Sequence, residues 1–387
     1  MKKRLLTREE NGSLRKLSPE NNLVDFSSND YLGFACSEEL KSIIEKELSG
    51  IRYPVSLIGS TGSRLLTGNS QYAEDLEVFI ANFHKAEAGL IFNSGYDANL
   101  GLIASIGKKE DVIFYDELSH ASIYDGVRLS KTESFPFRHN DVTHLEERLK
   151  YCRSTHNGNS NCFVIVESVY SMNGDFSPLK EISSLCDEYM ANLIVDEAHA
   201  TGIFGKKGEG RVVELNLESK VFARVHTFGK ALGCHGAIVL GRHDLKNYLI
   251  NFSRSFIYTT ALPIHSLAAI KSAYLLLINE SYKIIKINNL INLFKLKIKE
   301  QNLTFFLNSS STIQSILFEG NDIVKKIASL VQKDGFDVRP ILSPTVPKGK
   351  ERIRICLHAF NTEEEISGLI SSLKKNINLA ASKQEAI

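Results

Sequence analysis

The chain has 387 residues, 43% hydrophobic and 24% charged, the balance of a globular protein large enough for two domains around a substantial core. Its 46 Lys and Arg against 45 Asp and Glu leave a net charge of +1, so no global field favours nucleic acid or an anionic membrane, and a small-molecule substrate fits better. Six scattered cysteines with no C-x-x-C pair read as reduced thiols with no metal site, and the absence of any apolar window near ~18 residues or of a signal-peptide pattern makes the cytoplasm the expected location.

From about residue 40 to 270, charged helical stretches alternate with short apolar runs, the pattern of α/β units around a largely parallel sheet. Strands are predicted at Gly89 to Phe92, Val112 to Tyr115, Phe163 to Val166, Leu193 to Val195 and Ala237 to Leu240. Four of these runs exit into polar clusters: Asn93-Ser94-Gly95-Tyr96, Asp116 to His120, Glu167 to Ser171, and Asp196-Glu197-Ala198-His199. Ligands of open α/β sheets bind beyond the carboxyl ends of strands, although loops after strands are polar in any case. The turn-rich stretch Ser154 to Asn161 reads as a surface loop.

Past residue 275 a Lys-rich amphipathic helix gives way to short strands around Ile313 to Leu317 and Ile353 to Leu357, then to a helix from Thr362, which stands at capping-box spacing from Glu365. The expected division is an amino-terminal segment (1–40), a large domain (41–275) and a smaller carboxyl-terminal α+β domain (276–387).

Asp196 follows an apolar run, and a carboxylate there can pair with a protonated pyridine nitrogen, while His199 three residues on can reach a neighbouring ring oxygen. A strand-end carboxylate that only caps the next helix has the same sequence pattern. In Thr227-Phe228-Gly229-Lys230, followed by Gly233, a glycine-flanked lysine can approach a flat cofactor closely, where an ordinary loop lysine is solvated. Lys230 lies 34 residues after Asp196, about one helix-containing crossover, so the two can occupy neighbouring strands. A Schiff-base lysine with an acidic pyridinium partner is the arrangement pyridoxal 5′-phosphate (PLP) needs. Ser94-Gly95-Tyr96 offers backbone N–H groups at a helix start for phosphate, with Thr227, Thr259 and Thr260 as further hydroxyls. His120 can stack on a ring or sit in the core, and Arg352 and Arg354 share a strand face either as edge charges or as a carboxylate clamp.

In order along residues 23 to 360, the segments Phe26 to Gly33, Gly59 to Arg64, Ser94 to Tyr96, Leu118 to Ser122, His139 to Leu145, Ser171 to Asp175, Asp196 to His199, Thr227 to Lys230, Ile257 to Thr260 and Pro344 to Pro347 closely resemble the α-oxoamine synthases. The resemblance implies the PLP-dependent transferase fold of type I: α/β, with a mostly parallel central sheet in the large domain. It implies Lys230 as the Schiff-base lysine and Cα base, Asp196 on the pyridine nitrogen, His199 and Ser171 near the ring hydroxyl, and His120 stacked on the ring. Thr227 and the backbone of Gly95 and Tyr96 are assigned to phosphate, with Thr259 and Thr260 reaching it across a homodimer interface. Asn29 is a substrate-side contact, Arg354 the amino-acid carboxylate ligand in preference to Arg352, and Arg15 the candidate for an acyl-binding arginine.

The implied reaction is decarboxylative condensation of an amino acid, with L-alanine favoured, and an acyl thioester. The favoured thioester is pimeloyl on coenzyme A or acyl carrier protein, as in biotin biosynthesis. Serine palmitoyltransferase, glycine C-acetyltransferase or 5-aminolevulinate synthase chemistry stays open, as does a PLP aminotransferase or lyase. A silent partner subunit is disfavoured because Lys230, Asp196 and His199 are all retained. Ala200 stands where the family has glycine, a modest change that PLP binding is expected to survive.

Overall fold

The computed structural model describes residues 1–17, 19, 22–51, 58–155 and 160–382, with backbone only at 381 and 382. Positions 156–159 of the expected surface loop lie outside the described residues. The strands run in chain order as β1 (Val24–Asp25), β2 (Ala88–Phe92), β3 (Val112–Asp116), β4 (Glu133–Phe137), β5 (Cys162–Glu167) and β6 (Ala191–Asp196). They continue as β7 (Ala223–Thr227), β8 (Ala237–Gly241), β9 (Ile313–Phe318), β10 (Phe336–Asp337), β11 (Arg339–Ile341) and β12 (Glu351–Cys356).

Contacts divide the chain into two compact units, one of Leu32–Tyr170 with Phe176–Ile284, the other of Met1–Tyr31, Ser171–Asp175 and Ile285–Ile387. The larger holds a seven-stranded sheet in the order β2-β8-β7-β6-β5-β3-β4. Only β8 runs against its neighbours, so six strands end at the same edge. All five residues of β2 and all six of β5 are buried, as helices on both faces of a parallel sheet require of uninterrupted apolar runs. The five expected strands form, each within two residues of its expected ends.

Two strands have no such signature. β4 carries Pro136, which an edge strand tolerates because no further ladder bond is needed there. β7 reads Ala-Arg-Val-His-Thr, yet all five residues are buried, and Arg224 donates to the His84 carbonyl at 2.8 Å.

Under β7 two imidazoles are packed with ring centroids 3.9 Å apart, those of His84 and His226. His84 Nδ1 lies 2.8 Å from the Glu209 carbonyl, so it carries the proton, and Nε2 accepts from the Tyr274 hydroxyl at 2.8 Å. Burial, then the Arg224 charge, holds His84 down at about 3, and burial, then His84 and Arg224, hold His226 well below the usual range. The unfolded imidazoles take up protons near pH 6.5, so between there and about 3 the unfolded state binds more protons than the folded one. Stability from this pair is therefore complete above pH ~6.5 and is lost as pH falls. The urea midpoint should drop between about pH 7.5 and about pH 5, with a shallower drop in His84→Gln; equal midpoints at both pH values would contradict this.

The smaller unit is built on an antiparallel sheet in the order β11-β12-β9, with Arg354 opposite Ser315 and Arg352 opposite Leu317. β1 pairs with β10 in parallel. The helix Glu363–Ser382 opens on the expected capping box, Glu365 N–H donating to Thr362 Oγ1 at 3.1 Å and Thr362 N–H to Glu365 Oε2 at 2.9 Å.

Candidate active site

The candidate side chains of the larger unit sit at the common strand edge. β6 and β7 pair in parallel with Asp196 opposite Val225, so Asp196 and the loop carrying Lys230 leave neighbouring strands, as their spacing suggests. Lys230 Nζ lies 2.7 Å from His199 Nε2. Asp196 is 5% exposed, and its oxygens accept from Asn99 Nδ2 at 2.7 Å and Ala198 N–H at 2.9 Å, a desolvated carboxylate held in one orientation.

His120 precedes the helix Ala121–Ser130, its N–H donating to Glu167 Oε1 at 2.6 Å. Burial lowers its basicity; Asp196 opposes this and Lys230 reinforces it. With its basicity lowered, the flat ring is neutral at neutral pH although the residue keeps an exposed face.

The helix Gly95–Ile106 starts at Ser94, whose hydroxyl accepts from Asp97 N–H at 3.1 Å. A Cβ on Gly95 would lie 3.5 Å from Thr227 Cβ and Oγ1, which places the first helical turn against the end of β7. Asn93 Nδ2 donates to Thr259 Oγ1 and to the Thr260 carbonyl, each at 2.9 Å, so the threonine pair borders the same loop within its own chain. The Tyr96 side chain is turned to Asp125, leaving its backbone as its contribution to the helix start. Ala200 is fully buried and has no left-handed φ, whereas Gly202, at φ +81°, takes the left-handed turn; alanine is accommodated where the family has glycine.

In the smaller unit Arg354 Nη2 donates to Asn29 Oδ1 at 2.8 Å and Tyr31 OH at 3.5 Å, while its Nε is buried without a partner among the described residues. Arg352 is committed: Nη1 donates to the Met172 carbonyl at 3.2 Å and to Asn173 Oδ1, and Nε to the Lys350 carbonyl at 3.1 Å. Spare donor capacity distinguishes Arg354. Exposed Arg15 donates to Thr345 Oγ1 at 2.9 Å, and Ser171, 9% exposed, opens the segment Ser171–Asp175 of this unit.

Sequence reasoning passed over Asn99, Ser122, Glu167, Glu197 and Tyr31. Asn99 had a signal, since asparagine is a poor interior helix residue and here lies one turn past Gly95. Fully buried Glu197 accepts from Arg211 N–H at 2.8 Å and Val212 N–H at 2.7 Å, pinning the turn between Asp196 and His199.

The aminotransferase class I and II family matches residues 21–373. An 8-amino-7-oxononanoate synthase of Emericella nidulans is 43% identical over 96% of this chain and 94% of its own. The chain belongs to the aminotransferase class I and II family, among its α-oxoamine synthases. Another 8-amino-7-oxononanoate synthase, of Lysinibacillus sphaericus, is 38% identical over 90% of this α-oxoamine synthase and 87% of its own length. Among solved structures, a serine palmitoyltransferase from S. paucimobilis with a bound PLP–myriocin aldimine superposes with TM-score 0.84 at 26% identity, covering 92% of this chain and 88% of that one. The 8-amino-7-oxononanoate synthase of Francisella tularensis gives 0.77 at 26% identity, covering 93% and 99%. The α-oxoamine synthase described here thus has the type I fold of PLP-dependent transferases.

Proposed function

We propose that this α-oxoamine synthase uses PLP to condense L-alanine with a pimeloyl thioester of coenzyme A or acyl carrier protein. The products are 8-amino-7-oxononanoate, CO2 and free thiol, for biotin biosynthesis. The observation that carries the reading is 43% identity to an 8-amino-7-oxononanoate synthase across 96% of the chain, over a site in which Lys230 meets His199 and a buried Asp196 is held by Asn99.

The residues present suit PLP. Asp196 offers a desolvated anion for a pyridinium, Lys230 an amine, neutral His120 a flat ring, and the start of the helix at Gly95 with Thr227 N–H and hydroxyl donors for phosphate. When bound, PLP supplies an electron sink for charge developing at the substrate Cα. Lys230 takes the Cα proton of alanine and later returns one, with His199 2.7 Å from its amine to orient it. Glu197 and Ala198 keep Asp196 and His199 on one rigid turn. Ser171 is assigned to the ring hydroxyl, Asn29 to the substrate side and Arg15 to the acyl end, on the resemblance. A homodimer in which Thr259 and Thr260 complete the neighbouring phosphate site, in the cytoplasm, belongs to the same proposal; none of the described helices is long and apolar enough to cross a membrane.

L-Alanine, serine and glycine, each with pimeloyl, palmitoyl and acetyl thioesters, test the reading. Turnover of the alanine and pimeloyl pair, releasing CO2 and thiol, is the expected result; preference for serine and palmitoyl, suggested by the 0.84 superposition, would replace it. Arg354 is proposed for the alanine carboxylate. Losing a charge-assisted bond costs about 1.5–3 kcal/mol, so Arg354→Ala should raise the KM for alanine roughly 10- to 100-fold, and an unchanged KM would reject the assignment.

A further inference from the structure

Three buried side chains of the larger unit, those of Asp196, Asn99 and Ser122, form one hydrogen-bonded line that ends on the exposed His120. Asn99 is 2% exposed and Ser122 fully buried. Asn99 Nδ2 lies 2.7 Å from Asp196 Oδ2 and 3.1 Å from Ser122 Oγ, and Ser122 Oγ lies 2.8 Å from His120 Nδ1. The backbone N–H of Ser122 also points at His120 Nδ1, at 3.2 Å.

Donor and acceptor chemistry sets every direction in this line. A carboxylate only accepts, so Asn99 turns its NH2 towards Asp196, and the second hydrogen of that NH2 goes to Ser122 Oγ. A backbone N–H only donates, so His120 Nδ1 presents a lone pair. The Ser122 hydroxyl then gives its own hydrogen to the same nitrogen. Protonating Nδ1 would set its hydrogen against the Ser122 backbone donor and force the Ser122 hydroxyl to turn from donor to acceptor.

We infer that Asn99 and Ser122 are positioning residues that lock His120 as the neutral imidazole with its proton on Nε2, and that they link this tautomer to the carboxylate of Asp196. The role in catalysis rests on the PLP reading above; the tautomer does not. His120 faces Glu167 at the end of β5, Asp196 at the end of β6 and Lys230 beyond β7, of which Asp196 favours protonation and Lys230 opposes it. Without the relay the carboxylate's pull would be less opposed, and the ring would charge at higher pH. A ring held flat against a cationic pyridinium is better uncharged, and Nε2–H would be its one ring donor.

The test is 15N NMR of histidine-labelled full-length chain without added PLP, with the His120 signals assigned by their loss in His120→Asn. Wild type should show a one-bond N–H at Nε2, a proton-free Nδ1 and charging only below the ordinary histidine range. In Ser122→Ala the titration midpoint should rise by about one unit, a tenfold change in proton affinity, and Asn99→Ala added to Ser122→Ala should shift it no further. The acid limb of kcat/KM in the PLP-loaded protein should move up with it. A proton on Nδ1 in wild type overturns the inference even if the variants fail to fold, as does a midpoint unmoved in Ser122→Ala. A wild-type chain that shows this tautomer but no visible PLP band would sink the cofactor reading and leave the relay standing.

Discussion

Lys230→Ala should lower turnover of alanine with pimeloyl thioester by about 10⁴-fold or more. Its amine is the group 2.7 Å from His199 at the shared strand edge, and the proposed reaction uses it both to anchor PLP and to move the Cα proton. A positioned general base alone is worth about 10²- to 10⁴-fold, and loss of the anchor adds to that. Lys230→Arg separates charge from basicity: a guanidinium keeps the charge but does not give up its proton, so this variant should be equally inactive. Borohydride treatment of the PLP-loaded wild type should fix the pyridoxal group on the peptide carrying Lys230, and neither variant should be labelled there. Wild-type turnover in either variant would refute the assignment.

Asp196→Asn should cost nearly as much through a different property, charge rather than proton transfer. Both carboxylate oxygens already accept a hydrogen bond, from Asn99 and from the Ala198 backbone, in a position 5% exposed. The substitution keeps the shape, removes the negative charge opposite a pyridinium, and sets an NH2 group against a donor. Breaking a buried ion pair costs about 3–5 kcal/mol, equivalent to roughly 10²- to 10⁴-fold. PLP affinity by absorbance titration, together with kcat at saturating PLP, measures it. A change below about tenfold in both would mean that Asp196 does not pair with the ring.

Much of the fold was legible because buried parallel strands need unbroken apolar runs, and β2, β5 and β6 have them. β7 was not, because Arg224 and His226 make it look polar; their burial depends on the His84 carbonyl and Thr201, supplied by distant segments. The 34-residue interval between Asp196 and Lys230 matched one crossover, so adjacency of their strands could be read from chain length. Alternation could not separate Arg352 from Arg354, since it puts both on one face of β12, and the preference for Arg354 came from the resemblance alone. Met172 and Asn173, nearly 180 residues earlier, occupy Arg352 and leave Arg354 with an unused Nε.

The sequence by itself determined which residues are the candidates for the chemistry: a lysine between glycines, a carboxylate and histidine after a strand, and a serine-glycine turn opening a helix. Such features are local, because periodicity, caps and strand exits act over a few neighbouring residues. Only the tertiary structure decided what those residues bond to. Asn99 reaches Asp196 across 97 positions and Ser122 across 23, and the order β7-β6-β5-β3 brings the exits of these strands together. Hydrogen bonds are directional and end near 3 Å, so the tautomer of His120 and the spare donor of Arg354 depend on distances that no local pattern encodes.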